Sequence, residues 1–312
     1  MQSDKKSETN IVRTYVRYLK LERNYSPNTV EAYQHDLRYL LDYCTHTEQS
    51  FLSLQLKDLQ NFAAGIHDCG VGAVTQARII CGVRSFYRYL TMAGYLEDDP
   101  SELLESPQKG ERLPEVLTTE EVDMMEASID VSKPEGHRNR AIIEVLFSCG
   151  LRVSELVNMK LSNIFRDEMF LRVMGKGSKE RLVPLSEKAL TEMDNWFAIR
   201  NEMNIKPGEE DYVFLNRRGA HLTRTMILIM IKRQAKEAGI TKTISPHTLR
   251  HSFATELLKG GADLRFIQAM LGHESIGTTE IYTHIDVSTL RQEIILHHPR
   301  NILYRQQHPD EE

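Results

Sequence analysis

The residues best suited to chemistry lie in the last third of the 312-residue chain. Ser245-Pro246 pairs an N-cap serine with a proline at the first helical position, so the pattern predicts a helix opening there. His247 and Arg250 then sit three apart on one face of its first turn and can reach one ligand. Backbone N–H groups at a helix start add positive potential, which suits a phosphate. The helix is expected to end at Gly260-Gly261. A second runs from Asp263 to Gly272, with His273 just past that glycine, and a third after Thr278-Thr279 carries Tyr282. Taken singly, each residue has an ordinary structural use as a capping histidine, an ion-paired arginine or a half-buried tyrosine. His247 and His251, four apart, can also be read as a metal pair. Thr248 stands where the helical HExxH signature has Glu, however, and no nearby Cys or carboxylate completes a site.

The elements that must position these residues belong to a chain long enough for two domains, each with its own core. A composition of 41% hydrophobic and 27% charged residues excludes fibrous and wholly disordered classes. The apolar run Met226 to Ile231 is too short to span a bilayer, and Met1 to Asn10 lacks the apolar stretch of a secretory signal. A cytoplasmic protein with no membrane insertion is therefore expected. Cys44, Cys69, Cys81 and Cys149 fit no CxxC or zinc-finger spacing and read as buried thiols. The net charge of −5 argues against a polyanion partner, yet six basic residues and no acid lie between Val213 and Lys236. Such segregation can make a basic face on an acidic protein; a solvated helix face is the plainer reading.

Residues 1–105 read as helices throughout. Ile11, Tyr15, Tyr18 and Leu19 recur at helical spacing, Ser26-Pro27 opens a second helix, a shorter one follows Ser53, and Val74 to Met92 forms a fourth. Arg78, Arg84 and Arg88 have no acid for company in that fourth helix, so they are candidate phosphate contacts or a solubilising surface. Residues 106–114, rich in Pro, Gly and charge, read as a linker. Within 115–312, Thr118 to Glu121 opens a helix, Arg138 to Cys149 forms an apolar one ended by Gly150, and two short strands flank a turn at Gly175 to Glu180. The fold class expected is mainly α: an all-helical N-terminal domain, then a mainly helical α+β domain with a small antiparallel sheet. At the tail, Leu290, Ile294 and Ile295 put an apolar stripe on a helix from Ser288 to His297.

In combination the motifs resemble those of the tyrosine site-specific recombinases, the phage integrase family. His247-Thr-Leu-Arg250-His251, Leu271-Gly-His273 and Tyr282 within Thr279 to His284 match its signature; Arg152 in Ser148 to Leu156 matches its first arginine motif, and Lys176 in Gly175 to Leu185 its lysine hairpin. The likeness extends from the N-terminal helices to His297-His-Pro-Arg300 and points to the Xer subfamily of chromosome-dimer recombinases, XerD-like more than XerC-like. The resemblance implies that Tyr282 attacks the scissile DNA phosphate to give a 3′-phosphotyrosine. Arg152 and Arg250 would hold the non-bridging oxygens and Lys176 would protonate the leaving 5′-oxygen, while His247 accepts the tyrosine proton and His273 binds a phosphate oxygen. These cations supply the charge a metal would bring, so no metal and no cofactor are implied. Lys179, Arg181 and Arg224 join Arg78, Arg84 and Arg88 as candidate DNA contacts.

The implied partners are double-stranded DNA at a recombination site or Holliday junction, clamped between the two domains, and a tetramer on two DNA sites. A second Xer-type recombinase and an FtsK-like translocase are further candidates. In that family the tail helix docks into a neighbouring subunit; a helix that caps its own domain is the plainer reading of the stripe. A mobile-element integrase, which often carries an additional N-terminal arm-binding domain where here about ten polar residues precede the first helix, and a type IB topoisomerase are the alternatives.

Overall fold

The computed structural model describes residues 2–107, 115–175, 180–272 and 287–307. The chain divides into two compact units, Met1–Arg112 and Leu113–Glu312. Residues 108–114, most of the stretch read as a linker, lie outside the described residues.

The first unit is built from α1 (Gln2–Leu21), α2 (Pro27–Thr47), α3 (Leu56–Asp68) and α4 (Ala73–Met92). Helix α1 takes in the polar segment that the sequence pattern placed before it. Ser26 caps α2 as its sequence predicts, the hydroxyl accepting from the Thr29 N–H at 3.3 Å. Ile11, Tyr15 and Leu19 meet Leu37, Leu40, Ile79, Val83, Phe86 and Leu90 in one core with Phe51 and Phe62. Tyr87 is buried there and donates its O–H to the Phe51 carbonyl at 2.9 Å, so its polar end is satisfied. The cysteines depart from expectation: Cys44 and Cys149 are buried, but Cys69 and Cys81 are exposed. Cys69 follows the last turn of α3 and Cys81 falls on the outer face of α4.

The second unit opens with α5 (Thr119–Ala127), where Thr118 Oγ1 accepts from the Glu121 N–H and the Glu121 carboxylate accepts from the Thr118 N–H at 2.8 Å. Then come α6 (Pro134–Cys149) and α7 (Val153–Val157), followed by β1 (Ile164–Phe165), β2 (Phe170–Met174) and β3 (Glu180–Pro184). The three strands form an antiparallel sheet in that order, with Phe170 opposite Pro184 and Met174 opposite Glu180. Strand β1 adds to the two that the sequence pattern indicates. Helices α8 (Glu187–Arg200), α9 (Arg224–Glu237), α10 (Pro246–Lys259), α11 (Leu264–Leu271), α12 (Val287–His297) and α13 (Pro299–Gln307) complete it. The main core surrounds Phe147, Trp196 and Phe214.

A smaller core joins Phe253 and Leu257 of α10, Ile267 and Met270 of α11, and Leu290 and Ile294 of α12. Leu290 and Ile294 of the tail stripe are buried in this core of their own chain, and Ile295 is half-buried. Among the described residues no helix is long and apolar enough to cross a membrane.

A buried charge cluster ties α13 down. Arg300 Nε lies 3.0 Å from Glu144 and its Nη1 2.5 Å from Asp123, while Lys188 reaches Glu126 at 2.7 Å and Glu144 at 3.6 Å. Burial, then the adjoining Glu144 charge, holds the Glu126 carboxyl well above the usual carboxylate range. A carboxyl raised on folding stabilises the fold fully only below its ordinary value of about 4.5, and that contribution is lost as pH rises through its folded value. Glu126→Gln stays neutral at every pH. Thermal melts are expected to diverge in its favour as pH rises above about 4.5; a deficit that grows with pH would contradict the assignment.

Candidate active site

Four elements of the second unit converge on one carboxylate. Arg152 is the N-cap of α7, and Glu155 lies one turn further on with its side chain 3% exposed. Its Oε1 accepts from Arg152 Nη1 at 2.9 Å and Arg181 Nη1 at 2.7 Å. Its Oε2 accepts from Arg181 Nη2 at 2.8 Å and the Arg152 backbone N–H at 2.7 Å, and Arg250 Nη1 stands 3.9 Å away. From the other side, carbonyls at the end of α11 take the same three guanidinium groups. Met270 O accepts from Arg181 Nε at 2.8 Å, Leu271 O from Arg250 Nη2 at 2.5 Å, and Gly272 O from Arg152 Nη2 at 2.9 Å. Carbonyls at a helix C-terminus lack helical partners and carry the negative end of its dipole, so they suit cations.

Arg250 Nη1 also donates to Gly150 O at 2.6 Å. Gly150 ends α6 at φ +58°, and a Cβ there would come 2.3 Å from the Phe253 ring. Glycine is thus required for the turn and again for the approach of α10. Burial pushes the Glu155 carboxyl up, but hydrogen bonds and charge from Arg181, then Arg152, outweigh it and hold the group below its ordinary value. Burial, then the Arg152 charge, lowers Arg250 to about 10. Three guanidinium groups against one carboxylate leave a positive surplus. Arg152 is the most open, its side chain 31% exposed against 9% for Arg250.

Of the six residues singled out from the sequence, the structure brings Arg152 and Arg250 together. His247 is exposed at the second position of α10, without a side-chain hydrogen bond or ion pair among the described residues. His251 is also exposed, and among the described residues no three His, Cys, Asp or Glu side chains gather as for a metal ion. Lys176, His273 and Tyr282, with Lys179, lie outside the described residues. Strands β2 and β3 end on either side of residues 176–179, and α11 ends just before His273.

Among the candidate DNA contacts, Arg181 is corrected: it is committed inward to Glu155 and Met270. Arg78 has no acid on its own helix but pairs with Asp36 of α2. Arg84 is half-buried, whereas Arg88 and Arg224 are exposed. Within the basic run, Arg217 pairs with Glu135 and Arg233 with Glu237. Sequence reasoning missed the roles of Glu155 and Arg181. The Arg152-x-x-Glu155 spacing is that of an N-cap and its N3 carboxylate, and Arg181 shares a strand face with buried Val183, so both signals were present.

Comparison with known proteins matches residues 115–289 to the phage integrase family and residues 12–94 to the phage integrase N-terminal SAM-like domain. The tyrosine recombinase XerD of Staphylococcus aureus is 40% identical over 293 residues, covering 93% of this chain and 99% of that protein. Its counterpart in Listeria monocytogenes serotype 4b is 39% identical over the same shares. A crystal structure of the XerH site-specific recombinase bound to difH substrate aligns with a TM-score of 0.65 at 26% identity, covering 85% of this chain and 80% of that one. At 19% identity, a lambda integrase dimer bound to a core site shares the fold, with a TM-score of 0.67 over 88% of this chain and 98% of that one. The chain belongs to the phage integrase family of tyrosine recombinases, enzymes that cleave and rejoin DNA. Within that family it is of the XerD type.

Removing the shared carboxylate would leave three cations crowded without compensation. Glu155→Ala is expected to cost about 3–5 kcal/mol of stability at neutral pH, measured by denaturant unfolding. Because the folded carboxyl lies below its ordinary value, its contribution is present above about pH 4.5 and lost as pH falls through the folded value. The gap between parent and variant should therefore narrow on acidification.

Proposed function

We propose that this chain resolves chromosome dimers by site-specific recombination at a dif-like DNA site, with Tyr282 as the nucleophile. The observation that carries the reading is the arginine cluster around Glu155, whose surplus positive charge opens to solvent through Arg152. A phosphodiester gains negative charge on its non-bridging oxygens in the transition state, and preorganised guanidinium forks stabilise charge that develops there. Lysine in place of either arginine would be a poorer fork.

In the proposed reaction the Tyr282 oxygen bonds to phosphorus and the bond from phosphorus to the 5′-oxygen breaks. His247 accepts the phenolic proton, Lys176 donates one to the departing oxygen, and His273 hydrogen-bonds a non-bridging oxygen. The products are a 3′-phosphotyrosine and a free 5′-hydroxyl. Attack by the 5′-hydroxyl of a partner strand reverses the step and completes the exchange, so the bond energy is retained. The partners proposed are double-stranded DNA and a tetramer on two sites, of this chain alone or with a second Xer-type recombinase, with an FtsK-like translocase as candidate activator. The XerD-type relatives and the DNA-bound XerH structure support this reading. The two units are proposed as a core-DNA-binding domain over residues 1–105 and a catalytic domain over 115–312.

Tyr282→Phe is expected to bind DNA yet form no covalent complex, since only the attacking oxygen is lost. A denaturation-resistant adduct with this variant would move the nucleophile elsewhere. Lys176→Ala should slow cleavage strongly on a normal phosphodiester but far less where sulfur replaces the 5′-bridging oxygen, because a thiolate leaves without protonation. Equal impairment on both substrates would reduce Lys176 to a binding role.

A further inference from the structure

Asp36, on α2, is buried with its side chain 5% exposed, yet its ion-pair partners stand at the surface. Arg78 of α4 is in close contact with it and 45% exposed, and the exposed His35 ring has Nδ1 3.9 Å away. Gly82, one turn beyond Arg78 on α4, makes room for this carboxylate: a Cβ there would fall 2.7 Å from Asp36 Cβ. Burying a carboxylate at a helix crossing is a poor route to stability, since an apolar side chain of similar size would do as well or better. What the pair achieves is orientation. A guanidinium carries five N–H donors in one plane; Asp36 Oδ1 approaches it at Nη1 alone, and the Arg78 side chain stays 45% exposed. An unpaired exposed arginine loses more rotamer freedom on meeting a ligand than one held by a carboxylate.

We propose that Asp36 is a positioning residue which, seated against Gly82, presents the Arg78 guanidinium to a phosphate of duplex DNA. The proposal deepens, and rests on, the reading of the chain as a DNA recombinase. It carries a sign that separates it from a structural role. Deleting a negative charge near a DNA-binding surface should by itself tighten binding, whereas loss of positioning should weaken it.

The test titrates the full chain onto a random-sequence DNA duplex between about 50 and 200 mM salt. The proteins are the parent, Asp36→Asn, Arg78→Ala, the double variant and Gly82→Ala, with thermal melts to establish folding. Arg78→Ala should weaken binding about tenfold and make the slope of log affinity against log salt shallower by about 0.9. Asp36→Asn should weaken binding despite the lost negative charge, and should weaken it no further once Arg78 is Ala. Gly82→Ala changes no charge and should weaken binding in the same way. If either single-charge variant does not fold, the uncharged double variant and Gly82→Ala supply the slope and the affinity. Tighter binding by Asp36→Asn, or an unchanged salt slope without Arg78, overturns the proposal while the recombinase reading stands. A parent chain that does not bind duplex DNA overturns that reading and this proposal with it.

Discussion

Three guanidinium groups cannot share one buried place in a protein unless something negative holds them there, and Glu155 is that group. Its two oxygens accept four hydrogen bonds from Arg152 and Arg181. The strain of gathering like charges shows in Arg250, which burial and the Arg152 charge lower to about 10. One carboxylate is not enough, and the end of α11 supplies the remainder through three successive carbonyls, each assigned to a different arginine. The same atoms that end α11 thereby hold the cations.

The rest of the second unit serves this junction. The loop after α6 brings Arg152, β3 brings Arg181, and α10 brings Arg250, so three elements distant in sequence must each be placed to within a hydrogen-bond length. That placement depends on the two cores. Phe253 of α10 packs over Gly150, where any side chain would push α10 away and with it Arg250. Ser252, on the same helix, accepts from the Leu117 N–H at 2.7 Å and so pins α10 to the start of the unit. Small displacements at such a site have large consequences, because a reacting group misplaced by about 1 Å can lose about two orders of magnitude in rate.

Most elements were legible in the sequence because their signals are local. Ser26, Thr118, Ser245 and Asp263 each cap the helix that their spacing predicts, and Gly150 and Gly272 end theirs in the left-handed conformation. Strand β1 escaped because two residues are too few to show alternation, and β1 depends on pairing with β2. The long-range ion pairs escaped for a different reason. Asp36 with Arg78 and Glu155 with Arg181 join residues on separate elements, and no spacing rule relates them. Arg181 looked like a surface cation because arginine usually is one; its direction follows from its strand face, and its partner only from the fold. Recognition of Arg152 and Arg250 came from motif resemblance, and the structure adds the carboxylate that makes their closeness possible.

The second unit contains two buried charge clusters, and their net signs separate their uses. Around Arg300, three carboxylates meet two cations, and the imbalance is met by a proton, with Glu126 held in its neutral range. Around Glu155 the imbalance is positive, and arginine cannot shed a proton near neutral pH even when lowered to about 10. A surplus of this sign, softened by the α11 carbonyls, favours an anion. Arg152 is the most open of the three. The first cluster is therefore neutral when folded, whereas the second keeps a net positive charge, and in the proposed reaction that charge is available to the transition state of a bound phosphate.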